Sequence, residues 1–432
     1  MARLLINQLG PVSHCDLEIN DFMVFTGEQA SGKSTIAKSI FLFKNVKNLL
    51  LFLIRKQNFL NAFEGNFISS SPQTRLTKEI RANFLQIFGS TWCMDSSMRL
   101  RYEYTEDVWI DISLRENEGN RNYIWIDISD KLSDFLQDLR PFFKGRTSMG
   151  DWEQWNLQKK LNELFQDYAE VVYIPAGRSM ITLLTTQLNY IYSSMDDMQK
   201  RNLDYCTQSY LERILRLKPF FNSDTDMMIE NAMRMTDRRL DKEVLFEASE
   251  LMHKILQGEY RNIDGEERLQ VSENHYVKIN FASSGQQEAV WILNVLFYYL
   301  LNNISAYFII EEPESHLFPN AQKLMAEFIA LARRNGNQIL VTTHSPYVLG
   351  AFNNLLYANR IAPMADETKL CEILSKNKWL PYASLSVYCI KGGIPEKCTD
   401  DDFQAINNDV IDGVSEDIND DFDRMVALRE TV

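Results

Sequence analysis

The sequence predicts an α/β protein built around a parallel sheet, and three observations carry that prediction. The apolar run Phe22-Met23-Val24-Phe25 leads into Gly27-Glu28-Gln29-Ala30-Ser31-Gly32-Lys33-Ser34, and helical periodicity follows through Ile36, Ile40, Phe41 and Phe43. Strand, glycine-rich turn and helix in that order are the context a G-x-x-x-x-G-K-[ST] phosphate loop requires. Tyr307-Phe308-Ile309-Ile310 and Gln338-Ile339-Leu340-Val341 are short apolar runs flanked by helical patterns, as expected of inner strands. Residues 98–127 instead alternate apolar and polar side chains in three short runs, which predicts an antiparallel β subdomain.

The other elements follow in order. Residues 3–8 and 14–19 read as strands parted by Gly10-Pro11. From 130 to 257 the pattern is mainly helical, interrupted by the strand Val171-Val172-Tyr173-Ile174, which ends in Pro175-Ala176-Gly177-Arg178. No heptad is sustained there, so compact helices are expected rather than a long coiled coil. Residues 258–282 read as a small meander and 289–301 as an apolar helix. The predicted organisation is a first lobe at 1–130, a helical insertion at 131–257 with strand 171–174 in the core, a second lobe at 258–395 and an acidic tail at 396–432.

Composition narrows the function classes. The 432 residues are 45% hydrophobic and 24% charged, which excludes a mainly disordered or fibrous chain. The longest nearly apolar run, 289–301, falls short of the roughly 20 residues a membrane span needs. The N-terminus turns polar too early for a signal peptide, so no membrane association and a cytoplasmic location are expected. Six cysteines without a C-x-x-C pair argue against a zinc ribbon or disulfide framework. The net charge is −14, of which −9 falls in 396–432. That balance disfavours a surface tracking nucleic acid throughout, and the tail reads as a solvated helix or as a docking segment for a basic partner. Asp400-Asp401-Asp402 reads as a solvated helix cap rather than a metal site.

The phosphate loop carries the strongest chemistry. Gly27 and Gly32 let successive N–H groups of Glu28, Gln29, Ala30 and Ser31 curl toward phosphate oxygens, and the helix N-terminus adds positive partial charge. Lys33 would reach the β- and γ-phosphates of ATP, Ser34 would hold Mg²⁺, and Thr35 completes the nucleotide-binding run. The strand at 307–310 runs into Glu311-Glu312-Pro313-Glu314, placing acids where ligands bind in α/β folds. Glu311 would take a Mg²⁺-associated position and Glu312 would orient or deprotonate the attacking water. Ala282-Ser283-Ser284-Gly285-Gln286-Gln287-Glu288 opens the apolar helix, a geometry that suits phosphate and equally a plain serine N-cap. Thr342-Thr343-His344-Ser345-Pro346 puts a histidine at the end of a buried strand, within reach of a γ-phosphate.

Together these four motifs resemble the ABC-type ATPase head, in the order phosphate loop, signature, acidic strand end and histidine switch. Their spacing is about 250, then about 26, then about 33 residues. The resemblance implies that Ser283, Ser284, Gly285 and Gln286 contact the ATP of a partner head, and that His344 is the switch histidine. Gly10-Pro11, the run Glu311 to Pro319 and the run Thr342 to Pro346 are similar to the branch containing SMC, Rad50, RecF and OLD ATPases. Within it the chain is most similar to stand-alone ATPase subunits of bacterial phage-defence systems of the PARIS or Septu type. The run Tyr173 to Ser179 also resembles such proteins and is read as a Q-loop-like element.

Three departures qualify the likeness. Glu311 stands where aspartate is usual, Ser284 replaces the first glycine of the signature, and the space after His344 leaves no room for an OLD-type nuclease domain. The resemblance implies an ATP-joined homo-dimer or higher homo-oligomer. That assembly would control a separately encoded effector of the same operon, a nuclease in kind, in anti-phage defence. The competing reading is a RecF- or SMC-like ATPase that binds DNA in repair or recombination, with Arg234, Arg238, Arg239 and Lys242 as the candidate basic face. A transporter's nucleotide-binding subunit is disfavoured by the atypical signature and the large helical insertion.

Overall fold

The computed structural model describes residues 2–55, 71–91, 94–117, 120–138, 150–182, 204–235, 240–407 and 419–425. The chain opens with a hairpin of β1 (Arg3–Leu9) and β2 (Val12–Glu18), then β3 (Phe22–Thr26) and the helix Lys33–Lys44. Strands β4 (Arg99–Thr105), β5 (Val108–Asn117) and β6 (Asn120–Ile128) join the hairpin in a five-stranded antiparallel sheet ordered β2-β1-β4-β5-β6. After β7 (Glu170–Ile174) come β8 (Glu259–Ile263), β9 (Glu266–Ser272) and β10 (His275–Lys278), a small antiparallel meander. Strands β11 (Ala306–Glu311), β12 (Gln338–Thr342), β13 (Leu385–Lys391) and β14 (Ile394–Lys397) complete the main sheet.

That sheet has the order β14-β13-β3-β12-β11-β7 and is parallel except for β14. The pairings Phe25↔Thr342, Glu311↔Thr342 and Ile310↔Ile174 bring the carboxyl ends of β3, β12, β11 and β7 level. Because successive side chains point to opposite faces, β3, β12, β11 and the edge strand β7 each feed two cores. Phe22, Val24, Val172, Ile174, Phe308, Ile310, Ile339 and Val341 face one core. Met23, Phe25, Val171, Tyr173, Tyr307, Ile309 and Leu340 face the other, with the helix Lys33–Lys44 and the antiparallel sheet. The α/β fold with an antiparallel β subdomain and a mainly helical segment is as the sequence predicts.

The helices Tyr205–Leu217, Thr225–Met235 and Lys242–Leu256 bury Tyr210, Ile214, Ile229, Ala248 and Ile255 in the first core, alongside the helix Ser284–Leu301. They are compact helices of 13, 11 and 15 residues. Of the basic positions considered above, Arg234 pairs with Glu230, Lys242 lies over the Phe246 ring, and Arg238 and Arg239 lie outside the described residues. No described helix is long and apolar enough to cross a membrane.

The start of the acidic segment corrects two expectations. Residues 396–407 are not a solvated helix: Cys398 and Ile406 are buried, and the Ile406 N–H donates to Asn353 Oδ1 at 3.0 Å. Asp400 is not a helix cap. Its carboxylate accepts the N–H groups of Asp402 and Phe403, both at 2.9 Å, closing a turn between the two-residue strands Thr399–Asp400 and Ala405–Ile406. Two apolar anchors outweigh the local charge because their burial needs only a few residues of chain. Residues 419–425 are helical and exposed, as expected of a solvated helix.

The β13–β14 turn, Gly392-Gly393, lies against the β1–β2 turn, with the Ser13 N–H donating to Gly393 O at 3.1 Å. Both glycines have positive φ, but a Cβ on Gly393 would meet Pro11 O at 2.1 Å whereas one on Gly392 meets nothing within 4 Å. Gly392→Ala should therefore cost about 1 kcal/mol, the left-handed penalty alone. Gly393→Ala should cost on the order of 3 kcal/mol, since the turns must also part. Equilibrium denaturation of the two variants checks this; equal costs would show that the contact between the turns is dispensable.

Candidate functional site

The phosphate loop connects β3 to the helix Lys33–Lys44. Gly27 has φ 131° and its missing Cβ leaves room for Ile390 O, which one would approach to 2.6 Å; Gly32 has φ 112° and sits on Val12. Neither place admits a side chain, which is why the motif needs glycine at both. Gly32 is the helix N-cap and contributes no capping side chain, so the first-turn N–H groups are left for a ligand. Glu28, Gln29 and Ala30 are exposed, Ser31 and Thr35 half-buried, and Ser34 exposed in the first turn. Lys33 is buried, with Nζ donating to Gly27 O at 2.9 Å and Glu28 O at 2.6 Å. Its ammonium thus folds back over the loop it belongs to. Burial lowers its pKa below the ordinary value, while the charges of Glu312 and Glu314 oppose the shift.

Two adjacent strand-end acids occupy different environments. Glu311 is 4% exposed, and its Oε2 accepts the Ala176 N–H at 3.4 Å while Oε1 has no hydrogen-bond partner. Burial, and secondarily the Glu311 charge, pushes the Tyr173 hydroxyl well above its ordinary pKa. Glu312 turns out of the strand with φ 43°, and its side chain is 39% exposed. A non-glycine residue held left-handed costs about 1–2 kcal/mol, so its neighbours must fix it. The Glu312 N–H donates to Thr342 O at 2.9 Å and its carbonyl accepts from Arg178 at 2.8 Å.

The histidine lies beside this turn: His344 Nε2 is 3.6 Å from Glu312 Oε1. Glu314 fixes it there, accepting Thr343 Oγ1–H at 2.8 Å and the His344 N–H at 2.7 Å. The next residue, Ser345, caps the helix Pro346–Ile361, and the Thr343 N–H donates to Phe25 O at 2.9 Å. The histidine turn is thereby pinned to both β3 and the acidic turn. An oxygen-rich edge with one lysine, one imidazole and one open carboxylate is the equipment for binding and hydrolysing a phosphoanhydride.

Ser283, Ser284, Gly285 and Gln286 form the N-terminus of the helix Ser284–Leu301. Ser283 caps it, and Gln286 reaches back to the Ser283 N–H at 3.0 Å, a reciprocal capping box. Gln286 Nε2 also donates to Leu256 O at 2.7 Å, so this amide is committed within the chain. Ser283 and Ser284 are exposed, whereas Gly285 is buried against His316, whose carbonyl a Cβ there would approach to 2.6 Å. The structure thus gathers Lys33, Glu311, Glu312 and His344 at one sheet edge, and packs Gly285, two residues after Ser283, against His316.

Sequence reasoning assigns no individual role to three residues, although Arg178 falls in the run read as a Q-loop-like element. Glu314 was only the last acid of its run. Arg178 and Glu288 form a fully buried ion pair at 3.2 Å between the loop after β7 and the Ser284 helix. An arginine four residues past a buried strand and a glutamate in the first turns of an otherwise apolar helix were the available signals.

Among solved structures, the chain is similar to the Smc head domain of Pyrococcus furiosus bound to the C-terminal domain of ScpA. The two are 11% identical with a TM-score of 0.39, over 97% of this chain and 100% of that one. The SMC head domain from Thermotoga maritima is 12% identical with a TM-score of 0.33, over 81% and 90%. A dimeric bacterial ABC transporter cassette is 12% identical with a TM-score of 0.32, over 92% and 97%. No curated protein matches the chain. The family profile described as AAA ATPase domain matches residues 1–349, which contain the phosphate loop, the acidic strand end and the histidine turn. The chain belongs to the AAA ATPase domain family and is an ATP hydrolase.

Proposed function

We propose that this ATPase is an ABC-type head of the SMC, Rad50, RecF and OLD branch that works as an ATP-joined homo-dimer. The observation that carries the reading is the division of the motifs: Lys33, Glu312 and His344 share one edge, while Ser283 and Ser284 stand exposed on another element. A nucleotide held by one chain would then be closed over by the Ser283 turn of its partner.

Within one head the burial contrast divides the labour. Lys33 would exchange the Gly27 and Glu28 carbonyls for β- and γ-phosphate oxygens. Glu312, open and next to His344, would orient the attacking water and accept its proton, with His344 contacting the γ-phosphate. The unpartnered Glu311 Oε1 and the exposed Ser34 hydroxyl are hard oxygen donors that fit Mg²⁺, which supplies charge neutralisation at the phosphates when bound. Gly27 to Thr35 would hold the triphosphate. Ser283, Ser284 and the backbone of Gly285 and Gln286 would meet the partner's γ-phosphate, because the Gln286 side chain is occupied by capping.

By family likeness the ATP-joined state would control a separately encoded effector of the same operon, a nuclease in kind, in defence against phage. Direct DNA binding is the competing function. Arg234, paired with Glu230, and Lys242, resting on Phe246, lend it no support.

In ATP and Mg²⁺, Glu312→Gln should lower turnover on the order of 100-fold or more. Light scattering should show the same variant at twice the monomer mass. Lys33→Ala should bind no nucleotide and stay monomeric. A mass indifferent to ATP in the Glu312→Gln chain would overturn the ATP-joined dimer. Expressed with its neighbouring genes, the wild-type chain should protect cells from phage and both variants should not; protection by both would end the defence reading. Co-purification of Glu312→Gln with nucleic acid and no protein partner would move the function to a DNA clamp.

A further inference from the structure

We infer that Arg178 is a positioning residue that couples the two catalytic sites of the dimer, an inference that rests on the ATP-joined reading above. Its side chain is 0% exposed and its guanidinium spans three elements. Nη1 donates to Pro175 O at 2.6 Å and to Glu311 O at 2.6 Å, and Nη2 donates to Glu312 O at 2.8 Å. Nε donates to Glu288 O at 3.1 Å, and the Glu288 carboxylate lies 3.2 Å from Nη2. The same carboxylate takes the N–H groups of Arg178 and Ser179 at 3.0 and 2.9 Å, and Thr182 Oγ1 donates to Gln287 O at 2.9 Å.

These bonds tie together two things that serve different nucleotides. The carbonyls of Glu311 and Glu312 belong to the acids acting on the ATP held by this chain. Glu288 and Gln287 lie one turn into the helix whose exposed N-terminus faces the ATP of the partner. A shift of that helix when Ser283 meets a γ-phosphate is therefore delivered to the acidic turn of the same chain. Glu312 is receptive to it, because its left-handed backbone is held by the Arg178 contact at one end and Thr342 at the other.

The chemistry is particular to arginine. The planar fork presents five N–H donors in fixed directions, whereas lysine offers a single nitrogen that cannot span carbonyls from three elements. A buried ion pair is a poor choice for stability alone, since an apolar pair of similar volume often serves better. Held in this position, it makes two strand-end carbonyls and a helix turn move as one body.

The test compares wild type, Arg178→Lys and Glu288→Gln by binding of a fluorescent ATP analogue, ATP turnover, the Hill coefficient for ATP, and thermal melting. Arg178→Lys should keep its nucleotide affinity and lose turnover on the order of 100-fold, because the acids are displaced rather than removed. Its Hill coefficient should fall from about 2, the number of linked sites, to about 1. Glu288→Gln, which keeps an acceptor oxygen for one of the two N–H groups and loses the charge facing Nη2, should move the same two quantities less. Folded Arg178→Lys with wild-type turnover and cooperativity overturns the inference. So does a joint loss of melting temperature, affinity and turnover at an unchanged Hill coefficient, the mark of a merely structural residue. If Arg178→Lys does not fold, Glu288→Gln decides by the same readouts. A wild-type chain that dimerises in ATP with a Hill coefficient of 1 overturns the coupling alone; one that never dimerises overturns the reading beneath it.

Discussion

Strands of a parallel sheet end in backbone groups that no neighbouring strand can satisfy, and burying them unpaired costs about 1–3 kcal/mol apiece. At the carboxyl edge of this sheet the partners are charged side chains. Arg178 takes the carbonyls of Glu311 and Glu312, Glu314 takes the N–H of His344, and Lys33 takes the carbonyls of Gly27 and Glu28. Each pairing closes a local backbone deficit and simultaneously fixes a residue of the candidate site.

The cores behind the edge make that arrangement rigid. Alternation along β3, β7, β11 and β12 sends apolar side chains to both faces, so the strand ends cannot tilt without disturbing two packed layers. The helix Ser284–Leu301 is apolar around nearly its whole circumference and is buried almost throughout. Its N-terminus is the part that reaches solvent, where Ser283 and Ser284 stand exposed. A long element anchored in the core with an exposed tip is suited to transmitting small displacements, whereas a loop would absorb them.

The phosphate loop was legible because its constraints are local. Two glycines with positive φ, a lysine and a hydroxyl within eight residues leave few alternatives, and the flanking strand and helix advertise themselves by periodicity. The inner strands were legible for the same reason. The Ser283 turn was legible only as a pair of readings, cap or phosphate contact, and of these the structure shows the cap. The acidic segment was misread between 396 and 407 because charge count outweighs two buried residues in any local average, while Cys398 and Ile406 decide its course.

By itself the sequence determined the kind of elements, the phosphate loop and the family of chemistry, since backbone conformation and side-chain periodicity are set over a few residues. Only the tertiary structure decided which of two adjacent glutamates is buried and which is open, and that Arg178 and Glu288 meet across 110 residues of chain. It also placed His344 beside Glu312. Those outcomes depend on strand order and register, which arise when distant segments bury their faces against one another, and no local pattern encodes them.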